Sequence, residues 1–542
     1  MGILDAPSIP KDKKGRRLDS FEIAPRVITA PGIAIASNTF GTGFDGVTKQ
    51  SALQTGVTGS FRIPHVVASD AGDIRFVYTN WYTDRLATSA PQTAAATFAD
   101  VDGPSTIQIS ALLETSGTGG AGWAVTFGGQ STVSIAPGGM VISDPVSVDV
   151  LKGATIYSVT RVISGNFYPT KRSIIAGGSG GFASGVDATL PWYTGQTHNT
   201  VADSTGEFYG PSAILGIPDS NARSFLIAGD SISNGFGDGL PSGQHDFTGY
   251  NSAQPWRNGG GYVARALHGL AGTVNIATSG EFARKFSGEQ PNASVARRQS
   301  MARFCTDVYV WYGRNDVTEG KPLASIQGYV IAIWRRFARR GLTVHQATVT
   351  PKPTTTDSFM TEANQTPEAT NDAVRVSFND WLRDGAPLDG TTFAPQAVGA
   401  TALRMGQAGH PLATVIDAAD AAESARNSGK WKAPYLVIND AAMTSGSNTL
   451  TSASAAFTSA RDLGTTVLIK GAGPTGTDLF TNISVVNSAT SVTVINSAGT
   501  TVSGAQAGLG LMVIPTDRTH PTAGGAKRIA EGIAAKVASI LA

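Results

Sequence analysis

The chain is poor in the features that mark several common protein classes. It has one cysteine in 542 residues, so no internal disulfide can form and a small disulfide-stapled framework is excluded. Charged residues are only 15%, and 41 Lys and Arg nearly cancel 40 Asp and Glu. Without an excess of one sign there is no overall field for nucleic acid or an anionic membrane, and a neutral substrate is the simpler expectation. No segment reaches the roughly 18 uninterrupted apolar residues of a membrane span, which predicts a soluble chain. The opening MGILDAPSIPKDKKGRR lacks an apolar stretch of signal-peptide length and places its positive charges after its apolar residues. Ordinary secretion is therefore not expected, although so low a charge content suits a protein that works outside cells.

What is present in quantity is glycine, 64 residues, together with Ser, Thr and Ala, a composition of β structure with tight turns. The length calls for several domains. Residues 1–30, rich in Pro, Lys and Arg and without a period, predict an extended arm suited to attachment. From 31 to 215, short apolar or alternating runs recur between turn clusters: Gly59 to Ile63, Ile74 to Tyr78, Thr106 to Leu112, Ala124 to Phe127, Ser147 to Val150 and Thr155 to Ile163. They predict an all-β sandwich, jelly-roll-like, with possible carbohydrate binding.

From 216 to 437 the pattern changes to strands alternating with helical periods, which predicts a parallel sheet flanked by helices. The strands are Phe225 to Ala228, Val274 to Ala277, Val308 to Tyr312, Thr343 to Val349 and Thr414 to Ile416. Leu323, Ile326, Val330, Ile333 and Phe337 form a helical stripe stopped by Gly341. Residues 438–511 turn β-rich again, with Val467 to Ile469, Ile483 to Val486 and Val492 to Ile495, and the α/β pattern returns over 512–542, where Ile529, Ile533, Val537 and Ile540 share a helix face. The small β module thus reads as an insertion. The lone Cys305 precedes an apolar run and predicts a packed thiol without a catalytic role.

Acyl transfer needs a nucleophile, a base, a group that orients the base, and donors for the oxyanion. Ser231, in Gly229-Asp230-Ser231, directly follows an apolar strand, where open α/β sheets place ligands; an ordinary capped turn fits the same residues. Asn315, in Gly313-Arg314-Asn315-Asp316, follows another such strand, where turn chemistry is the alternative. Asp517 stands three residues before His520, just ahead of the last helix. Of the other histidines, His245 beside Asp246 reads as solvated, and His268 and His345 as packing.

These motifs, in this order, resemble the SGNH (GDSL-type) hydrolase family over residues 220–437 and 512–542. The resemblance implies a flavodoxin-like parallel sheet flanked by helices. It also implies a triad of Ser231, Asp517 and His520, with an oxyanion hole from Ser231, Gly280 and Asn315, and a mechanism that uses neither cofactor nor metal. The inserted stretch from Ala460 to Gly473, and the opening MGILDAP, are similar to parts of bacteriophage tail proteins. Together these resemblances imply a virion esterase, released by lysis, that removes acetyl groups from a host surface polysaccharide among other tail proteins, with a homotrimer as the expected assembly. A non-catalytic receptor-binding tail protein and a non-viral carbohydrate or lipid esterase are the alternatives. The aromatic residues Trp81, Tyr82, Trp192 and Tyr193, and Trp256, Trp311 and Tyr312 nearer the triad, fit either sugar stacking or packing. Deleting 438–511 is expected to spare small-ester hydrolysis and impair action on polymer.

Overall fold

A computed structural model describes residues 32–37, 57–86, 97–103, 105–115, 122–164, 171–172, 179–184, 207–219, 221–238, 260–288 and 295–542. The predicted arm at 1–30, and His245, Asp246, Trp192, Tyr193 and Trp256, lie outside them.

Five parallel strands form the frame of the site: β1 (Ser224–Gly229), β2 (Gly272–Asn275), β3 (Asp307–Trp311), β4 (Thr343–Ala347) and β5 (Thr414–Ile416), in the order β2-β1-β3-β4-β5. That is the doubly wound order of the flavodoxin type. In β1 and β3 every residue is buried, which is why they read as unbroken apolar runs and not as an alternation. Their two faces nevertheless enter different cores. Leu226, Ala228, Val308 and Val310 pack with Ile326, Val330, Ile333 and Phe337 of helix Leu323–Ala338. Phe225, Ile227, Tyr309 and Trp311 pack with Tyr262 and with Ile529, Ile533 and Val537 of helix Ala523–Leu541. Cys305 is buried in the first of these cores.

Ahead of β1 the described residues form two larger antiparallel sheets, besides two-stranded ribbons. One has four strands, Ile33–Ala34, Ala213–Pro218, Ala71–Thr79 and Met140–Ile142 in that order; the other has seven. Ile74, Phe76, Tyr78 and Ile214 face the seven-stranded sheet, packing on Ile107, Ile109 and Ile156. The intervening Val77, Ala213 and Leu215 face the other way, into the core that holds Leu226 and Val308. The four-stranded sheet is thus a middle layer with apolar contacts on both sides. The run Ser147 to Val150, read from sequence as a strand, forms none. Its neighbourhood makes only isolated bridges, Val146 to Ile74 and Val150 to Ala71, because Asp144 and Pro145 break the ladder after Ile142.

The later β region closes on itself as a six-stranded barrel, Leu436–Met443, Thr449–Thr451, Ser491–Val494, Leu479–Ser488, Thr466–Ile469 and Val502–Leu509 in spatial order. Val467 and Ile469 fill its interior. Between them Leu468 points outward into the core around Trp431, Met512 and Ile529.

Candidate active site

Three of the five strands deliver a candidate group at their carboxyl ends. β1 ends at Gly229, where a side chain has no room: an added Cβ would lie 2.7 Å from the Trp311 carbonyl and 2.5 Å from Ser233 Oγ. The chain then enters a short helix, Ser231–Asn234, capped by Asp230, whose carboxylate accepts the Ile232 N–H at 3.0 Å. Ser231 is the first residue of that helix.

The segment between the barrel and the last helix folds back on itself. The Ile514 N–H donates to the His520 carbonyl at 3.0 Å and the Thr522 N–H to the Met512 carbonyl at 3.1 Å. This places His520 Nε2 2.7 Å from Ser231 Oγ across 289 sequence positions, with Nδ1 2.8 Å from Asp517 Oδ2. Asp517 Oδ1 accepts the N–H groups of Thr519 and His520 at 2.9 and 3.0 Å. Burial pushes the Asp517 carboxyl up, but the His520 imidazole and these N–H groups outweigh it and hold the carboxyl below its ordinary value. A carboxylate only accepts, so Nδ1 carries the proton and Nε2 offers its lone pair to the serine hydroxyl. The Phe236 ring, 4.4 Å from the imidazole and tilted by 57°, packs against it.

Gly280 follows β2 with φ of 82°, in a turn closed by the Glu281 N–H donating to the Thr278 carbonyl at 3.1 Å. Glycine takes that conformation without strain. Asn315 follows β3, and its Nδ2 donates one hydrogen to the Glu281 carbonyl at 2.9 Å. Among the described residues no acceptor takes the N–H of Ser231 or of Gly280. All five site residues expected from sequence therefore stand at the carboxyl ends of β1, β2 and β3 or on the segment that folds over them.

Sequence reasoning passed over several neighbours. Asp230 is buried and its carboxyl is pushed up to about 7, first by burial, against the Ile232 N–H, and further by the charge of Asp316. The signal was the motif itself, in which Asp230 was read only as a cap. Because the folded value lies above the unfolded 3.8, the folded state holds the proton longer, and this group makes stability fall as pH rises from about 4 to 7. Asp230→Asn keeps a capping side chain and removes that loss. Its melting-temperature advantage over the wild type is expected to grow between pH 5 and pH 8, by an amount equivalent to at most about 3 kcal/mol. Thermal melts at the two pH values check this, and a difference independent of pH would contradict it.

His345, read from sequence as packing alone, has an acid partner after all: Nε2 lies 2.8 Å from Asp307 Oδ1. Asp307 opens β3, at the end opposite Ser231, and its carboxylate also takes Arg223 and Thr306. His268 caps helix Gly261–Leu267. The aromatic question resolves for the described residues: Trp81, Trp311 and Tyr312 are buried and pack, and Tyr82 is half-buried.

A hydroxyl facing an imidazole that a carboxylate holds, at the switch point of a doubly wound sheet, is the geometry of a Ser-His-Asp acyl-transfer site. The model of the GDSL-like lipase/acylhydrolase family matches residues 227–416, so the parallel-sheet domain is of that SGNH type. The match takes in Ser231, Gly280 and Asn315 and stops before the barrel that separates them from Asp517 and His520. Among solved structures the chain is similar to a G-D-S-L-family protein from Desulfitobacterium hafniense (14% identity, 38% of this chain and 82% of that one, TM-score 0.23). It is also similar to a GDSL-like lipase from Bacteroides thetaiotaomicron (11%, 38% and 73%, 0.22) and to a member of the lipolytic G-D-S-L family from Veillonella parvula (16%, 36% and 78%, 0.21). TM-scores this low carry no argument of their own. No curated protein matches the sequence.

Proposed function

We propose that this protein is a serine esterase that removes O-acetyl groups from a bacterial surface polysaccharide as a component of a phage tail. The observation that carries the esterase reading is the contact between Ser231 Oγ and His520 Nε2, with Asp517 on the far nitrogen. Ser231 attacks the ester carbonyl while His520 takes its proton and delivers it to the leaving sugar hydroxyl. The Ser231 and Gly280 N–H groups and the free Asn315 amide hydrogen meet the oxyanion, and water then releases acetate by the same steps in reverse. The polysaccharide and tail parts of the reading are supported by the near-zero net charge and by the resemblance of the opening and of the barrel region to tail proteins.

The test is to incubate the protein with intact acetylated surface polysaccharides and measure acetate. Release by the wild type and none by Ser231→Ala is the expected result. If short esters are cleaved while no glycan loses acetate, the polysaccharide assignment fails and the substrate lies among smaller or lipid esters.

A further inference from the structure

The turn that carries Gly280 is held from outside the parallel-sheet domain. Strand Thr97–Asp102 pairs with Trp81–Leu86 in a separate two-stranded ribbon. From it Asp100 reaches a residue 198 positions away: Oδ1 accepts Arg298 Nε at 2.7 Å and Oδ2 accepts the Arg298 backbone N–H at 3.0 Å. The same guanidinium donates to both carboxylate oxygens of Glu281 at 2.8 and 2.9 Å, and to Thr278 Oγ1 at 2.8 Å. The Tyr312 hydroxyl donates to Glu281 Oε2 at 2.7 Å. The side chains of Asp100, Arg298 and Glu281 have no solvent exposure.

Thr278 and Glu281 are the first and last residues of the Gly280 turn, and the Glu281 carbonyl is what holds the Asn315 amide. One guanidinium therefore grips both ends of the turn, and two of the oxyanion donors hang from it. A buried triad of this kind brings little net stability, because desolvation offsets much of the attraction. What it supplies is fixed geometry, since the guanidinium fork donates to carboxylates in few orientations. A donor displaced by a fraction of an ångström loses its contact with the developing charge.

We propose that Arg298 and Asp100 are positioning residues for the oxyanion hole, so that the ribbon at Thr97–Asp102 sets the orientation of Gly280 and Asn315. This rests on the esterase reading above, and it assigns the ribbon a part in the chemical step.

The test uses kcat and KM for p-nitrophenyl acetate, expressed per site titrated with a phosphonate that labels Ser231. Asn315→Ala, the reference, lowers kcat about a hundredfold with little change in KM. Asp100→Asn, which keeps the shape and removes the charge, is expected to lower kcat about tenfold at unchanged KM. Made in the Asn315→Ala background, its effect should fall to about twofold, because both changes act on the same donors. A purely structural role would change the titrated fraction and leave kcat per site alone. Wild-type kcat per site in Asp100→Asn, or full additivity with Asn315→Ala, overturns the proposal while leaving the esterase intact. Absence of hydrolysis by the wild type overturns the esterase reading and this proposal with it. Thr278→Val, which removes the hydroxyl that Arg298 holds at one end of the turn, is the second variant if Asp100→Asn does not fold; it too should lower kcat per site, and an unchanged value counts against the proposal.

Discussion

Ser231→Ala is expected to fold as the wild type does and to lose hydrolysis of p-nitrophenyl acetate by a factor on the order of 10⁴ to 10⁶. The size follows from the role. His520 and Asp517 act on the substrate through the serine hydroxyl, so removing Oγ idles the imidazole as well, and the donors alone supply only residual acceleration. The fold should tolerate the change. Oγ is one atom whose side-chain partner among the described residues is His520 Nε2, and alanine suits the first turn of helix Ser231–Asn234. Initial rates with a melting curve on the same preparation check both halves. A variant that keeps the full rate would remove Ser231 from the mechanism.

Excision of residues 438–511 is expected to abolish small-ester hydrolysis along with action on polymer, contrary to what the sequence leads one to expect. Read along the chain, the insert has its own β pattern and its own apolar residues, so it looks detachable. In space it is not. Leu468 is buried among Trp431, Met512 and Ile529, and Phe480 packs against the same cluster. Thr466 Oγ1 accepts the Gly524 N–H at 3.2 Å, and the Thr466 carbonyl accepts the Gly510 N–H at 2.8 Å. Gly524 lies four residues beyond His520, so the barrel wall supports the segment that brings the imidazole to Ser231. Losing contacts such as that of Leu468 costs about 2–5 kcal/mol each, and the stability of a whole domain is only about 5–15 kcal/mol. The deletion variant should therefore melt well below the wild type and lack esterase activity. Wild-type turnover of p-nitrophenyl acetate by a folded deletion variant would show the barrel to be an independent attachment.

The parallel sheet was legible because its strands are buried on both faces, which leaves runs such as Phe225 to Ala228 unmistakably apolar. Of the five candidate site residues, Ser231, Asn315, Asp517 and His520 were legible because each belongs to a short local motif at a strand or helix end, whereas Gly280, a single glycine, came only from the family resemblance. The grip of Arg298 on the Gly280 turn was not legible. It joins Asp100 to Arg298 across 198 positions, and neither residue has a periodic or motif context. The partner of His345 was missed for a related reason: Asp307 sits on the neighbouring strand, a proximity that only strand order reveals. The run Ser147 to Val150 failed in the other direction, since alternation predicts an extended segment but not that a neighbour will pair with it.

The four-stranded middle sheet has a consequence for how this chain can have been assembled. Domains that meet through polar linkers can be shuffled between genes like cassettes, because each keeps a finished surface. Here Val77 and Leu215 on one side and Phe76 and Ile214 on the other leave that sheet no finished face to present. Grafting the hydrolase onto a different amino-terminal region would mean rewriting the apolar side of the sheet at the same time, so the two regions are bound to change together or not at all.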